Sequence, residues 1–348
     1  MEQTDVVNTD RGMIDGPRPR TKRSVWRRGG IVIALQFPIL RSSEPRSRAP
    51  KKVGSLASVC AAWRKIKTMN QRILVTGASS GLGMLTAARL AEAGYAVVAS
   101  MRTPAKSDAL RVELDRRKTT AEVLQLDVTS PESVTNAMSH LEATGGLDVL
   151  INNAGVQGQG FLEYLDDETF KRVFETNFFG NVRTTRAALP LLRKSPKARV
   201  VNLSSLAGLA GYPAGTAYSS SKWAVEGFSE SLHYELLPFG IQVCVVEPGG
   251  YKTEIYQSNA QHSRAPADSV YAQLQTALDK SYQSVSRRDP EDFANAILDL
   301  VRNPAPIFRT RTSDDVRRIY RLRRLLPFPV FSSLFWRKAF PDLARVRL

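Results

Sequence analysis

A chain of 348 residues, 43% hydrophobic and 24% charged, has the composition of a soluble globular protein with length for one large α/β core or two small ones. The formal net charge of +16 is uneven: residues 1–69 hold 15 Lys and Arg against 5 Asp and Glu, and residues 302–348 hold 12 against 3. The middle is mildly acidic, so a basic nucleic-acid face on the core has no support.

Two cysteines, Cys60 and Cys244, lie far apart in unlike contexts, with no CxxC pair and no disulfide framework. A reducing cytoplasm is the expected compartment. His140, His233 and His262 show no ligand spacing, so no metal is assigned.

Residues 1–69 are rich in Arg, Pro, Ser and Gly and lack sustained periodicity, apart from the apolar run Ile31–Leu40. That run is too short to span a bilayer and contains Pro38. Met69 opens MNQRILVTG, as a domain beginning directly with its first strand would. The expectation is that the functional protein starts near Met69 and that residues 1–69 are a disordered or over-extended leader. Residues 70–311 would form the globular domain, and residues 312–348 a basic, aromatic, helical extension.

From Arg72 strands and helices alternate. RILVTG reads as a strand, and MLTAARLAEAG as an amphipathic helix closed by Gly94. YAVVAS, AEVLQLDV, LDVLINNAG, ARVVNL and GIQVCVVEPGG read as further strands. Between them fall PAKSDALRVELDRR, then SPESVTNAMSHLEAT with Ser130 as cap and Pro131 in its first turn. Two more helices span about Asp167 to Lys194, and AYSSSKWAVEGFSESLHYEL carries helical periodicity. This alternation predicts right-handed βαβ units, hence a single α/β domain with a doubly wound parallel Rossmann-type sheet of about seven strands.

TGASSGLG, Thr76 to Gly83, falls between the first strand and first helix. Gly77, Gly81 and Gly83 allow a tight turn and close approach of Ser79, Ser80 and Leu82 to a pyrophosphate at a helix N-terminus. A Walker loop is excluded because the Gly-Lys-Ser/Thr ending is missing. Where an acidic residue would select NAD, the second strand ends at Met101 and Arg102. A guanidinium suits a 2′-phosphate by charge and fork geometry, which favours NADP(H) over NAD(H). Asp127, with Val128 after it, is placed to accept from an adenine amino group. NNAG, with Asn153, Ala154 and Gly155, puts small residues against the cofactor.

Downstream, Ser205 precedes Tyr218 by thirteen residues, and Lys222 follows four beyond. Tyr218 and Lys222 share one helix face. An ammonium beside a phenol lowers a pKa that starts at about 10, as a general acid/base near neutral pH requires.

Together these motifs closely resemble the short-chain dehydrogenases/reductases from about Gln71 to Thr253. The matches are TGASSGLG, NNAG, the asparagine of ETNFFG, the Ser–Tyr–Lys spacing and PGGYKT. The resemblance implies a catalytic tetrad of Asn177, Ser205, Tyr218 and Lys222. It places Pro248, Gly249 and Thr253 at the nicotinamide end of the cofactor, with Tyr218 and Lys222 beside it. It also implies hydride transfer between an alcohol and its ketone or aldehyde, with Ser205 binding the carbonyl and Tyr218 moving the proton. Lys222 would hold the nicotinamide ribose, and Asn177 would hold a water linking Lys222 to solvent. A homo-oligomer is implied as well. A non-catalytic NADP-binding sensor would keep the glycine loop and usually lose Tyr or Lys; an epimerase or dehydratase would show a different glycine spacing.

The pocket walls are expected at Val156, Gln157, Leu206, Leu209, Tyr212, Pro213, Gly250 and Tyr251, a mostly apolar set that suits a hydrophobic carbonyl compound. Tyr256–Ser286 is expected to form a lid of loop and helix. The basic, aromatic stretch from Ser313 to Phe340 reads chiefly as a helix packing over the pocket, with an interfacial membrane helix as the competing reading.

Overall fold

The structure, a computed structural model, describes residues 71–253, 264–284 and 288–340. The expectations about residues 1–69 and about the first part of the lid lie outside these described residues.

Seven strands form one parallel sheet: β1 (Arg72–Val75), β2 (Ala96–Met101), β3 (Glu122–Gln125), β4 (Val149–Asn152), β5 (Arg199–Leu203), β6 (Gln242–Glu247) and β7 (Arg309–Arg311). Their order is β3-β2-β1-β4-β5-β6-β7. The helices are α1 (Gly81–Glu92), α2 (Asp108–Arg116), α3 (Pro131–Ala143), α4 (Asp167–Phe174), α5 (Gly180–Leu192), α6 (Thr216–Leu236), α7 (Ala272–Ser284), α8 (Pro290–Arg302), α9 (Asp314–Leu325) and α10 (Phe328–Ala339).

The period of two along each strand builds two cores. Ile73 and Val75 join Val201, Val246, Cys244 and the α1 and α8 side chains Leu90, Phe293 and Ile297 on one face. Leu74 joins Leu150, Val200, Val243 and the α3 and α5 side chains Leu141 and Leu192 on the other. Strands buried on both faces read as continuous apolar runs, which is why RILV and VLIN needed no alternation to be recognised. Helix α1 gives way to Gly94 at φ +89°, and Ser130 caps α3 by accepting from the Ser133 amide at 3.2 Å, both as expected.

Three features add to the expectation. The seventh strand is Arg-Thr-Arg, with no apolar run to announce it, and it pairs with Val245–Glu247. The Asp167–Leu192 stretch runs through a π-helical turn at Glu175–Phe179, so the expected break between two helices is a bulge. The C-terminal stretch is two helices, divided where Pro327 stops α9 and opens α10. Among the described residues, no helix is long and apolar enough to cross a membrane.

Candidate active site

The strand order turns at β1 and β4, and a parallel sheet leaves a crevice beyond its carboxyl ends at such a point. Thr76 follows β1 and Asn153 follows β4, and the two lock together there. Thr76 Oγ1 accepts from the amides of Asn153 and Ala154 at 3.0 Å each, while Asn153 Nδ2 donates to the carbonyls of Thr76 (2.7 Å) and Gly77 (3.0 Å). The glycine loop therefore rests directly on the NNAG segment. A Cβ on Gly83 would lie 2.2 Å from Asn153 Nδ2 and 2.4 Å from the Gly77 carbonyl oxygen, so the start of α1 tolerates nothing larger. Gly77 and Gly81 hold φ of +68° and +57°, where L side chains are strained. Sequence reading gave Thr76 no part in this; its side chain proves to be the joint between the two loops.

The loop fits a dinucleotide phosphate. Ser80 at the N-cap of α1 makes no side-chain cap bond, and the first turn carries no acidic residue, which leaves the helix N-terminus to an anion. Thr253 closes the far side: a Cβ on Gly81 would lie 3.7 Å from Thr253 Cβ. The Ala78 amide donates to the Ser100 carbonyl at 2.9 Å, which brings the end of β2 beside the loop, with Arg102 exposed just beyond. Asp127 is half-buried past β3, and its Oδ1 accepts from the Thr129 amide and hydroxyl at 2.9 and 2.8 Å. Val128 packs at the foot of the π-helical turn, where a Cβ on Gly180 would lie 2.8 Å from its Cγ2.

The second half of the site gathers on α6. Lys222 is buried, donates from Nζ to the Leu203 carbonyl at 2.8 Å, and lies 5.7 Å from the Tyr218 ring centre. Burial pulls its ammonium down from 10.5 to about 8, with the Glu226 carboxylate pulling the other way. A Cβ on Gly155 would meet Asn177 Oδ1 at 3.2 Å and Lys222 Nζ at 3.8 Å. The NNAG glycine thus admits the ammonium to the cofactor crevice. Tyr218 itself is half-buried.

Asn177 sits fully buried in the π-helical turn. Its Oδ1 accepts from the Val156 amide at 2.8 Å, and its Nδ2 donates to the Val156 carbonyl at 2.9 Å and to Ser221 Oγ at 3.1 Å. Ser221 in turn donates to the Tyr218 carbonyl at 2.7 Å. Both amide hydrogens are therefore used in tying the NNAG loop to the Tyr218–Lys222 turn. Ser221 had no place in the sequence reading, since a serine among SSSK carries no signal of its own.

The two serines after β5 part ways. Ser204 is buried beneath Gly208, whereas Ser205 is half-buried at the start of the 3₁₀ turn Leu206–Gly208. Ser205 Oγ accepts from the Ala207 amide at 3.1 Å. The turn packs on α6, where a Cβ on Gly208 would lie 3.2 Å from the Lys222 carbonyl, and the Leu206 amide donates to Pro248 at 2.9 Å. Gly249 is held on its other side by Ser313 and Asp315, whose side-chain oxygens would stand 2.6 and 2.7 Å from a Cβ there.

Of the expected pocket walls, Val156, Leu206, Leu209, Tyr212, Pro213 and Gly250 are half-exposed around this region, and Gln157 is buried. Tyr251 is not a wall. It is 1% exposed, its ring meets Phe293 edge-on in the core, and its hydroxyl donates to Thr312. A cluster of Phe161, Ala214, Ala277, Leu278 and Phe340, with Tyr271 and Trp336, joins α7 and α10 to the loops beside the site. Trp336 and Phe340 thus tie the end of the C-terminal stretch to α7 and to these loops.

A family model described as short chain dehydrogenase matches residues 71–264. The chain is 38% identical over 281 residues to the uncharacterized oxidoreductase YusZ of Bacillus subtilis, covering 78% of this chain and 100% of that one. It is 35% identical over 253 residues to the 3-ketodihydrosphingosine reductase of Bacteroides thetaiotaomicron, covering 72% and 90%. Among solved structures, a short-chain dehydrogenase from Streptomyces avermitilis aligns with a TM-score of 0.66 at 32% identity over 78% of this chain and 98% of that one. An actinorhodin polyketide ketoreductase with NADPH aligns at 0.61 and 29% over 71% and 97%. A Burkholderia phymatum short-chain dehydrogenase/reductase in complex with NAD aligns at 0.63 and 25% over 74% and 94%.

Proposed function

The chain belongs to the short-chain dehydrogenase/reductase family, and on that premise we propose that it interconverts an apolar alcohol and its ketone or aldehyde with NADP(H), Tyr218 acting as general acid/base. An oxidoreductase of CH–OH groups with a nicotinamide nucleotide is the class the family fixes. The observation that carries the finer reading is the buried Lys222 ammonium, set between the Tyr218 ring and the small Gly155 at the cofactor crevice.

When bound, the nicotinamide supplies or accepts the hydride. Gly77, Ser79, Ser80, Gly81, Leu82 and Gly83 would hold its pyrophosphate end, Arg102 the 2′-phosphate, Asp127 and Val128 the adenine, and Pro248, Gly249 and Thr253 the nicotinamide end. In reduction, Ser205 Oγ already accepts the Ala207 amide, so its own hydrogen is left to donate to the substrate carbonyl oxygen. Charge grows on that oxygen as the double bond opens, and Tyr218 delivers its phenolic proton there. Lys222 stabilises the phenolate left behind, and its two N–H groups beyond the Leu203 bond suit ribose hydroxyls. Asn177 acts as a positioning residue, holding Val156 and Ser221 so that crevice and helix keep their spacing.

The half-exposed apolar walls favour a hydrophobic substrate, in keeping with the keto-lipid named for one relative. A non-catalytic NADP-binding sensor is the weaker reading, because Tyr218 and Lys222 are both present. The test is NADPH oxidation across a panel of apolar ketones and aldehydes with wild type and Tyr218→Phe. General acid loss should lower kcat about 10²- to 10⁴-fold while NADPH affinity holds. A variant turning over near the wild-type rate contradicts the assignment.

A further inference from the structure

Residues 316–340 carry seven Arg and Lys and no Asp or Glu. They make up most of α9 and all of α10, and one side of this pair meets the rest of the protein. Val316, Phe331 and Phe340 are buried, and Trp336 and Phe340 complete the cluster with Phe161 and Tyr271. The turn between the helices does the opposite. Leu325 is 78% exposed, Phe328 60%, Leu334 50% and Val330 47%. Large apolar side chains left exposed at this turn and along the helix that follows mark an interaction surface. Arg318, Arg321, Arg324, Arg337 and Lys338 are exposed around it. Arg323 lies 4.9 and 5.5 Å from the ring centres of Phe328 and Phe331, so a cation stands at the base of the apolar tip. At the start of α9, Asp314 pairs with Arg317 and Asp315 faces Gly249.

We propose that the α9–α10 turn docks on an anionic lipid bilayer, with Leu325, Phe328, Val330 and Leu334 entering the boundary between headgroups and acyl chains. Arginines 318, 321 and 324 then meet lipid phosphates. Charge decides the occupant. A second copy of this face would set seven cations against seven with no carboxylate between them. A folded acidic partner would match the cations but would need pockets for the exposed apolar side chains among them, and protein interfaces deplete charge around their apolar centre. A bilayer supplies fluid apolar volume beneath a layer of phosphates, and so accepts both features at once. The other side of α10 packs on α7 and on the Phe161 loop, so docking holds that cluster at the lipid surface. If the proposed active site is correct, its apolar substrate has a short route from the membrane.

The experiment is co-sedimentation of the full-length chain with vesicles of phosphatidylcholine alone or with about 30% phosphatidylserine. Two variants are compared: Leu325→Ser with Phe328→Ser, and Arg318→Gln with Arg321→Gln and Arg324→Gln. Wild type should partition onto the anionic vesicles. Each arginine contributes about fivefold near such a surface, so the triple variant should bind roughly 100-fold more weakly. The tip variant should lose at least about tenfold. Circular dichroism checks that both variants fold, and the charge variant, confined to exposed side chains, decides alone if the tip variant does not. The basic residues 1–69 are retained throughout, so equal partitioning of wild type and folded variants places binding elsewhere and overturns the proposal. Absence of wild-type binding overturns it too, as does a variant whose only change is a smaller mass at sedimentation equilibrium, which would assign the face to a second copy. None of these readouts depends on turnover.

Discussion

Glu247, the last residue of β6, has no solvent exposure, and neither of its carboxylate oxygens has a hydrogen-bond partner. Arg311 Nε comes within 2.8 Å of Oε2 without hydrogen-bond alignment, and Arg309 Nε lies 3.7 Å from Oε1. Burial, and then the Glu226 charge, push the carboxyl up from 4.5 to about 7, with both guanidiniums opposing. A rise of that size corresponds to about 3 kcal/mol between the two protonation states. Because the folded value is the higher one, the native protein keeps a proton that the unfolded chain releases between these pH values. The stabilisation from this site is fully present below pH 4.5 and is lost as pH rises through about 7. Glu247→Gln preserves the shape and removes the titration. Losing the ion pair with Arg311, or gaining amide hydrogen bonds, shifts the variant's stability by an amount that does not depend on pH. The pH-dependent part is therefore the clean readout. Urea denaturation at intervals from pH 5 to pH 8 should show the variant gaining about 2–3 kcal/mol on wild type across that range. Parallel stability profiles would show that Glu247 ionises as an ordinary carboxylate and that the two arginines fully compensate its burial.

Gly83→Ala should drive Asn153 from the carbonyls it holds, at a cost of about 2–4 kcal/mol; an unchanged melting temperature with unchanged NADPH binding would contradict the close packing seen at that Cβ. Arg102→Ala should weaken NADPH binding about 10- to 100-fold, the worth of a charge-assisted contact, and leave NADH binding alone. Equal losses for the two cofactors in a titration would remove Arg102 from the 2′-phosphate. Lys222 loses its proton near pH 8, so kcat/KM for reduction should fall above that pH. Glu226 is the charge that holds Lys222 up, and Glu226→Gln should move this alkaline limb to lower pH. A limb that stays put or moves upward refutes the link between them.

What the sequence disclosed and what it concealed divide along a physical line. Strands buried on both faces announce themselves as apolar runs, and the glycine loop, NNAG and the Tyr218–Lys222 pair are each contiguous, so their chemistry is local in the chain. The choice of Ser205 over Ser204 rested on spacing alone; in the structure Ser204 is buried under Gly208 and Ser205 is half-buried, so the proposed donor is the more accessible of the two. Tyr251 was misplaced because past the end of β6 no periodicity fixes which way a side chain turns, and its ring meets Phe293. Arg309–Arg311 could not be read as a strand, since its residues are selected by the acids they meet. Arg309 reaches Glu226 at 3.0 Å and Glu230 at 2.6 Å, and Arg311 reaches Glu247. That cluster joins three segments distant in sequence, one of them a single helical turn beyond Lys222. Glu226 is the charge that raises Lys222, and its partner Arg309 comes from a strand far along the chain, whereas the groups proposed to touch substrate are compact in sequence. A substitution at Arg309 would remove the partner of Glu226, the charge that raises Lys222, while every motif that identifies the site stayed intact.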